Sequence, residues 1–261
     1  MIPNAPNANP LKAWLELARI SNLPTVWSNI VMGMAWGMAC HMRELDINPA
    51  SVTSPNLSAL LNQAFMLLIA GSVIYTAGMF LNDALDHPID QTQRPTRPIP
   101  SGRICPKQAK AWSAVLLLAG ITASAVYTPS PWVLPLVASL ALCVVLYNLL
   151  HNRWPGSVLL MATCRALLVF AATMAPWSSH TTTLGPRLIP AAILFGWTLL
   201  IAAVARQEVQ RRRIPWVITL IIAMPLIDAA LCLQANHPQA ALFCISCAAL
   251  TATAQWFVKG S

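Results

Sequence analysis

The chain has 261 residues, 57% of them apolar and 9% charged, with a mean hydropathy of +0.60. Soluble globular chains carry roughly 25% charged residues, so a water-soluble fold is excluded. A bilayer span takes about 20 apolar residues, so several spans use up this length and leave no large extramembrane catalytic domain. The net charge of +8 would point to nucleic acid if it covered one face of a soluble domain. Here Lys and Arg gather in connecting segments instead, and no nucleic-acid partner is expected.

The chain opens MIPNAPNANP, with no basic stretch running directly into a short apolar core, so a cleaved signal peptide is not expected. Long apolar runs then predict eight helices: Leu23 to Cys40, Leu57 to Leu81, Ala109 to Tyr127, Trp132 to Leu150, Ser157 to Trp177, Leu188 to Ala205, Trp216 to Leu233 and Ala240 to Val258. Each is long enough to cross a bilayer. Membrane strands are disfavoured because open edges leave backbone groups unpaired in lipid, and no ten-residue alternation of a barrel is present. The expected fold is all-α: one polytopic membrane bundle of about eight transmembrane helices, forming a single domain over residues 1–261.

Basic residues test that count, because cytoplasmic loops carry the excess of Lys and Arg. With eight crossings, one side receives thirteen of the sixteen, including Arg19, Arg94, Arg97, Arg103, Arg153, Arg206 and Arg211 to Arg213. The other side receives Arg43 and Arg187, and Arg165 falls inside a span. Both termini are therefore expected in the cytoplasm. The seven cysteines lie mostly in apolar runs, and the CxxC of Cys244 and Cys247 reads as packing, not as a metal or redox site.

At the end of the second run the chain reads NDALDHPID, placing three of its eight acidic residues within nine positions. On a helix, Asp83, Asp86 and Asp90 follow i, i+3 and i+7, and Asn82, Asp86 and Asp90 follow i, i+4 and i+8, so the four share a face. Three mutually repelling carboxylates make physical sense around a hard cation, and Mg²⁺ takes one or two carboxylates with substrate phosphates and water. Pro88 is expected to loosen the last turn. The following TQRPTRPIPSGR holds Arg94, Arg97 and Arg103 in an extended, proline-punctuated segment suited to phosphate oxygens. Acids for metal followed by cations for phosphate describe a diphosphate site at a membrane surface.

NDALDHPID followed by RPTRPIPSGRI resembles the first aspartate-rich motif, NDxxDxxxD, and trailing basic loop of the UbiA superfamily of intramembrane prenyltransferases. A weaker likeness extends through ARISNLPTVWSN, YNLLHNRWPG and CRALLVFAA. The resemblance implies that Asp83, Asp86 and Asp90 hold Mg²⁺ and act as the catalytic acids, with Asn82, Arg94 and Arg97 against an isoprenyl diphosphate whose tail enters the bundle. Where the family has a second acidic cluster, this chain reads AVARQEVQRRRIP, with Glu208 the sole acid. Arg211 to Arg213 either replace that metal with guanidinium groups, Arg212 foremost, or serve only as topology determinants. The family's tyrosine-lysine signature has Tyr147 here, followed by His151 and Arg153; Arg153 stands in for the lysine and His151 reads as a neutral loop residue. Tyr147 is either a site residue or an interfacial anchor.

Charges inside the hydrocarbon zone are costly and point to function or pairing. Arg165 in CRALL and Asp228 in PLIDAAL either pair with each other or face a substrate cavity, and Asn29 either joins that cavity or hydrogen-bonds a neighbouring helix. The expected activity is Mg²⁺-dependent transfer of an isoprenyl group from its diphosphate to a small, cyclic or aromatic acceptor. The expected setting is a bacterial inner membrane with the site facing the cytoplasm. The alternative is a degenerate relative that binds or moves an isoprenoid without turnover; a polar-solute transporter ranks last, since it predicts inverted repeats that are not evident.

Overall fold

A computed structural model describes residues 10–44, 57–127, 130–176, 183–211 and 216–257. Among them there is no strand. Each expected apolar run is one long helix: α2 (Leu23–Glu44), α3 (Leu57–Gln93), α4 (Pro106–Tyr127), α5 (Val133–Leu150), α6 (Ser157–Met174), α7 (Gly185–Arg211), α8 (Trp216–Gln234) and α9 (Pro238–Phe257). A short α1 (Pro10–Leu17), unforeseen in the sequence, buries Ala13 and Leu17 and leads through a 3₁₀ turn (Ile20–Asn22) into α2.

Six helices, α3 to α8, are long and apolar enough to cross a membrane. Helices α2 and α9 match the expected runs and have 22 and 20 residues, yet fall outside that set. For α2 the reason is its position: it touches α3, α6, α7, α8 and α9, and 13 of its 22 residues are buried. A helix solvated by protein has no need of a lipophilic surface. Gly33 and Gly37 bring α2 onto α6, where a Cβ would stand 2.6 Å from the Ala172 Cβ and 2.2 Å from the Thr173 carbonyl oxygen. Small residues one turn apart are the usual means of close helix approach in membranes. Outward-facing Leu118, Leu142 and Leu242 are 59–66% exposed, as expected of side chains solvated by acyl tails. The chain is a multi-pass integral membrane protein.

Helix α3 has 37 residues, about 55 Å at 1.5 Å per residue, against a hydrocarbon core of about 30 Å. It therefore extends well beyond the hydrocarbon, and its last turns carry the acidic motif. Pro88 does not unwind them; α3 runs through it to Gln93. The same end of the bundle gathers the other basic segments. Gln255 near the end of α9 donates to Asn22 Oδ1 at 2.7 Å, and Arg206 of α7 donates to the Pro155 carbonyl at 2.7 Å. The first and last described segments thus share one end, consistent with an even number of crossings. At the opposite end Arg187 is not a loop residue facing water. It is fully buried, pairing with Glu44 at 3.2 Å and donating to the Thr173 carbonyl at 3.1 Å.

Candidate functional site

The acidic motif is divided between two sides of α3. Asp83 and Asp90 are seven residues apart, which leaves them about 20° apart around a helix. Both are buried at 4% exposure and both face Arg97, whose Nη1 lies 2.7 Å from Asp90 Oδ2 and 3.7 Å from Asp83 Oδ1. Asp83 also takes Arg19 Nη2 at 2.7 Å. Arg19 reaches it from a left-handed backbone conformation, φ 46°, at the corner between α1 and the 3₁₀ turn. Such a φ is costly for a residue with a Cβ, and the ion pair helps hold it. The proline-rich loop does not extend freely; it folds back under α1. Pro98 and Ile99 are buried, Gly102 turns at φ 79°, and Arg103 pairs with Glu16 at 2.8 Å.

Asp86 faces the other way. Its Oδ1 accepts from Asn152 Nδ2 at 2.7 Å and lies 2.8 Å from His151 Nε2. The other ring nitrogen of His151 stands 3.0 Å from the Asn148 carbonyl. Both nitrogens face acceptors, a geometry that suits the doubly protonated ring, and the Asp86 hydrogen bond holds the His151 pKa above its usual value. Tyr147 stacks on the ring, centroids 5.3 Å apart. Asn82, one turn before Asp86, comes within 3.5 Å of His151 Nε2. His151 is thus a hydrogen-bond partner of the motif's Asp86 and more than a residue of the loop.

Behind Asn82 a cavity of about 310 Å³ opens into the bundle. Arg19, Asn82, Tyr147 and Arg165 line it with Tyr75 and Asn148, and its depths are apolar, from Ile74, Leu140, Leu168 and Met224 among others. Arg165 does not pair directly with Asp228. Its Nη1 donates to Asn29 Oδ1 at 2.8 Å, and the fully buried Asn29 passes the contact on, donating Nδ2 to Asp228 Oδ2 at 2.7 Å. Ser28 donates to the same oxygen at 2.6 Å.

The structure therefore brings together Asn29, Asn82, Asp86, Tyr147 and Arg165 in or beside the cavity, and ties Asp83, Asp90 and Arg97 to one another. Arg94 and Arg153 are exposed and are not among the cavity-lining residues. The side chain of Glu208 and the whole of Arg212 lie outside the described residues. Sequence reasoning passed over Arg19, counted only as a topology determinant although it stands in the ARISN segment, and Asn152, although it stands in the YNLLHNRWPG segment beside His151. Among the described residues no three His, Cys, Asp or Glu side chains are grouped closely enough to hold a metal ion, so the expected three-carboxylate cage is not assembled. A smaller donor set does fit Mg²⁺. Asp86 has one oxygen engaged by His151 and Asn152, its other oxygen has no partner among the described residues, and Asn82 offers an amide oxygen one turn away. Two such donors plus phosphate oxygens and water match the habit of Mg²⁺.

Comparison with known proteins agrees with this architecture. The model of the UbiA prenyltransferase family matches residues 50–260. A digeranylgeranylglyceryl phosphate synthase of Sulfurisphaera tokodaii is 30% identical over 193 residues, 72% of this chain and 61% of that protein. One of Saccharolobus solfataricus is 30% identical over 170 residues, 65% of this chain and 54% of that protein. The chain thus spans less than two thirds of the length of these archaeal relatives. Among solved structures, a digeranylgeranylglyceryl phosphate synthase has a TM-score of 0.57 at 18% identity, covering 97% of this chain and 94% of that one. A UbiA homologue from Archaeoglobus fulgidus bound to GPP and Mg²⁺ has a TM-score of 0.57 at 12% identity, covering 95% and 87%. An all-helical bundle with an NDxxDxxxD helix end over an interior cavity, matched by the family model along four fifths of its length, makes this chain a member of the UbiA prenyltransferase family.

Proposed function

We propose that this protein transfers an isoprenyl group from an isoprenyl diphosphate to a hydroxyl of a glycerophosphate lipid. The single observation that carries the reading is the placement of Asn82 and Asp86 at one end of an apolar cavity whose wall also presents Arg19. The diphosphate lies at the polar end and the hydrocarbon tail in the apolar depth. In place of the expected cyclic or aromatic acceptor, the names of the two archaeal relatives specify glyceryl phosphate, which supports this acceptor class.

Asp86 and Asn82 would hold Mg²⁺ together with diphosphate oxygens. When bound, the ion supplies Lewis-acid stabilisation of the negative charge that builds on the departing diphosphate. Arg19 and Arg97 add guanidinium donors suited to phosphate, which they present once they exchange carboxylate for phosphate oxygens. The acceptor oxygen forms a bond to C1 of the isoprenyl chain. The C1–O bond to diphosphate breaks with its electron pair leaving on diphosphate, and the hydroxyl proton passes to those oxygens. The helix walls exclude water, so the allylic carbon meets the acceptor before hydrolysis. The site faces the end of the bundle rich in Arg, which the positive-inside rule places in the cytoplasm.

The test is product analysis. Purified protein in lipid nanodiscs, given geranylgeranyl diphosphate, Mg²⁺ and monogeranylgeranylglyceryl phosphate, is expected to release diphosphate and form the diether, with both lost on adding EDTA. Absence of diether alongside tight retention of the isoprenoid would favour the carrier reading instead.

A further inference from the structure

Arg165 stands in the interior of the bundle, eight residues into α6 from Ser157 and so about 12 Å along the helix axis. It is one of the residues that line the cavity. Among the described residues it makes one hydrogen bond, Nη1 to Asn29 Oδ1, and no direct ion pair. A guanidinium carries five N–H donors in a planar fork. Asp228 is linked to it by hydrogen bonds through the Asn29 amide. Ser28 and Asn29 both donate to Asp228 Oδ2, which fixes the Asn29 amide with its oxygen toward Arg165. This arrangement steadies the cation without covering it. A half-buried cation that leaves most of its donors open to an apolar cavity is expensive unless something satisfies it.

A ligand that satisfies it must carry a compact anion into the bundle. The isoprenyl diphosphate has its own polar station at Asn82 and Asp86, with Arg19 and Arg97 at hand, and its tail is neutral. The remaining substrate is the acceptor. We propose that Arg165 is the acceptor-recognition residue, binding the phosphomonoester of a glycerophosphate lipid inside the cavity, with Asn29 and Asp228 as the positioning residues that aim the guanidinium. The inference rests on the prenyl-transfer reading and adds to it where the acceptor's charge is read. Discrimination between a phosphorylated acceptor and its neutral analogue then belongs to α6, and the acidic motif of α3 has no share in it.

The experiment compares monogeranylgeranylglyceryl phosphate with the same lipid lacking phosphate, in steady-state kinetics on protein in nanodiscs. The wild type is expected to prefer the phosphorylated acceptor. Arg165→Gln is expected to raise KM for that acceptor about tenfold or more, the scale of a lost charge-assisted hydrogen bond. It should also erase the preference while leaving KM for the isoprenyl diphosphate within about twofold, well under the tenfold that 1.4 kcal/mol represents. Arg165→Lys retains a cation and should retain part of the preference, which keeps the test open if the glutamine variant fails to fold. A wild type indifferent to the phosphate overturns the proposal, as does a rise in diphosphate KM equal to that for the acceptor. If no acceptor is turned over, the prenyl-transfer reading fails by itself. The anion site is then judged by binding: a rise in wild-type Tm with the phosphorylated lipid that Arg165→Gln loses upholds it, and an unchanged wild-type Tm overturns it.

Discussion

Arg97 holds two carboxylates of the α3 motif at once, its Nη1 2.7 Å from Asp90 and 3.7 Å from Asp83. Both acids are buried, and among the described residues Asp90 makes no ion pair with a second arginine. Removing one partner of a buried pair leaves an uncompensated charge and costs about 3 kcal/mol or more. Arg97→Ala is therefore expected to lower unfolding stability by about 3 kcal/mol, read from the denaturation midpoint in detergent. The double variant Arg97→Ala/Asp90→Asn should recover part of that loss, because the stranded charge is gone.

In metal-free protein, His151 is expected to titrate above its ordinary value because Asp86 stabilises the imidazolium. A raised folded-state pKa means that the Asp86–His151 pair contributes its full stabilisation below the unfolded-state pKa and loses it as pH rises through the raised value. NMR of ring-labelled histidine should show that midpoint falling in Asp86→Asn. An unchanged midpoint in that variant would remove Asp86 as the cause.

The α2–α6 contact leaves no room for a methyl group at Gly37, where the obstacle is the Thr173 backbone oxygen and not a movable side chain. Gly37→Ala gains helix propensity, up to about 1 kcal/mol, but overpacking of this kind costs about 1 to 3 kcal/mol. A net fall in Tm is expected. Gly196 has nothing within 4 Å of its would-be Cβ, so Gly196→Ala should hold or raise Tm. The pair of measurements separates propensity from contact.

Much of the architecture was legible because membrane helices announce themselves by apolar length: every long helix fell on an expected run, and the basic loops marked the end that carries the site. Helix α1 was not legible, since eight residues give little periodicity and its burial depends on Phe80, Ile99 and Ile104, distant in sequence. The acidic motif was legible as a motif but not in its division, because helical spacing alone does not reveal that Arg97 would fold back onto Asp83 and Asp90. Arg165, Asp228 and Asn29 stood out as polar residues in apolar runs, yet the place of Asn29 between the two charges became visible only when α2, α6 and α8 were packed together.

Mg²⁺-dependent diphosphate release from geranylgeranyl diphosphate in the presence of acceptor, compared between Asp86→Asn and Asp90→Asn, tests the site most directly. If Asp86 with Asn82 forms the metal and diphosphate station, Asp86→Asn should lower kcat about 100-fold or more, as for loss of a group that stabilises transition-state charge. Asp90→Asn, tied up with Arg97, should lower it far less. Turnover by Asp86→Asn at the wild-type rate would contradict the assignment.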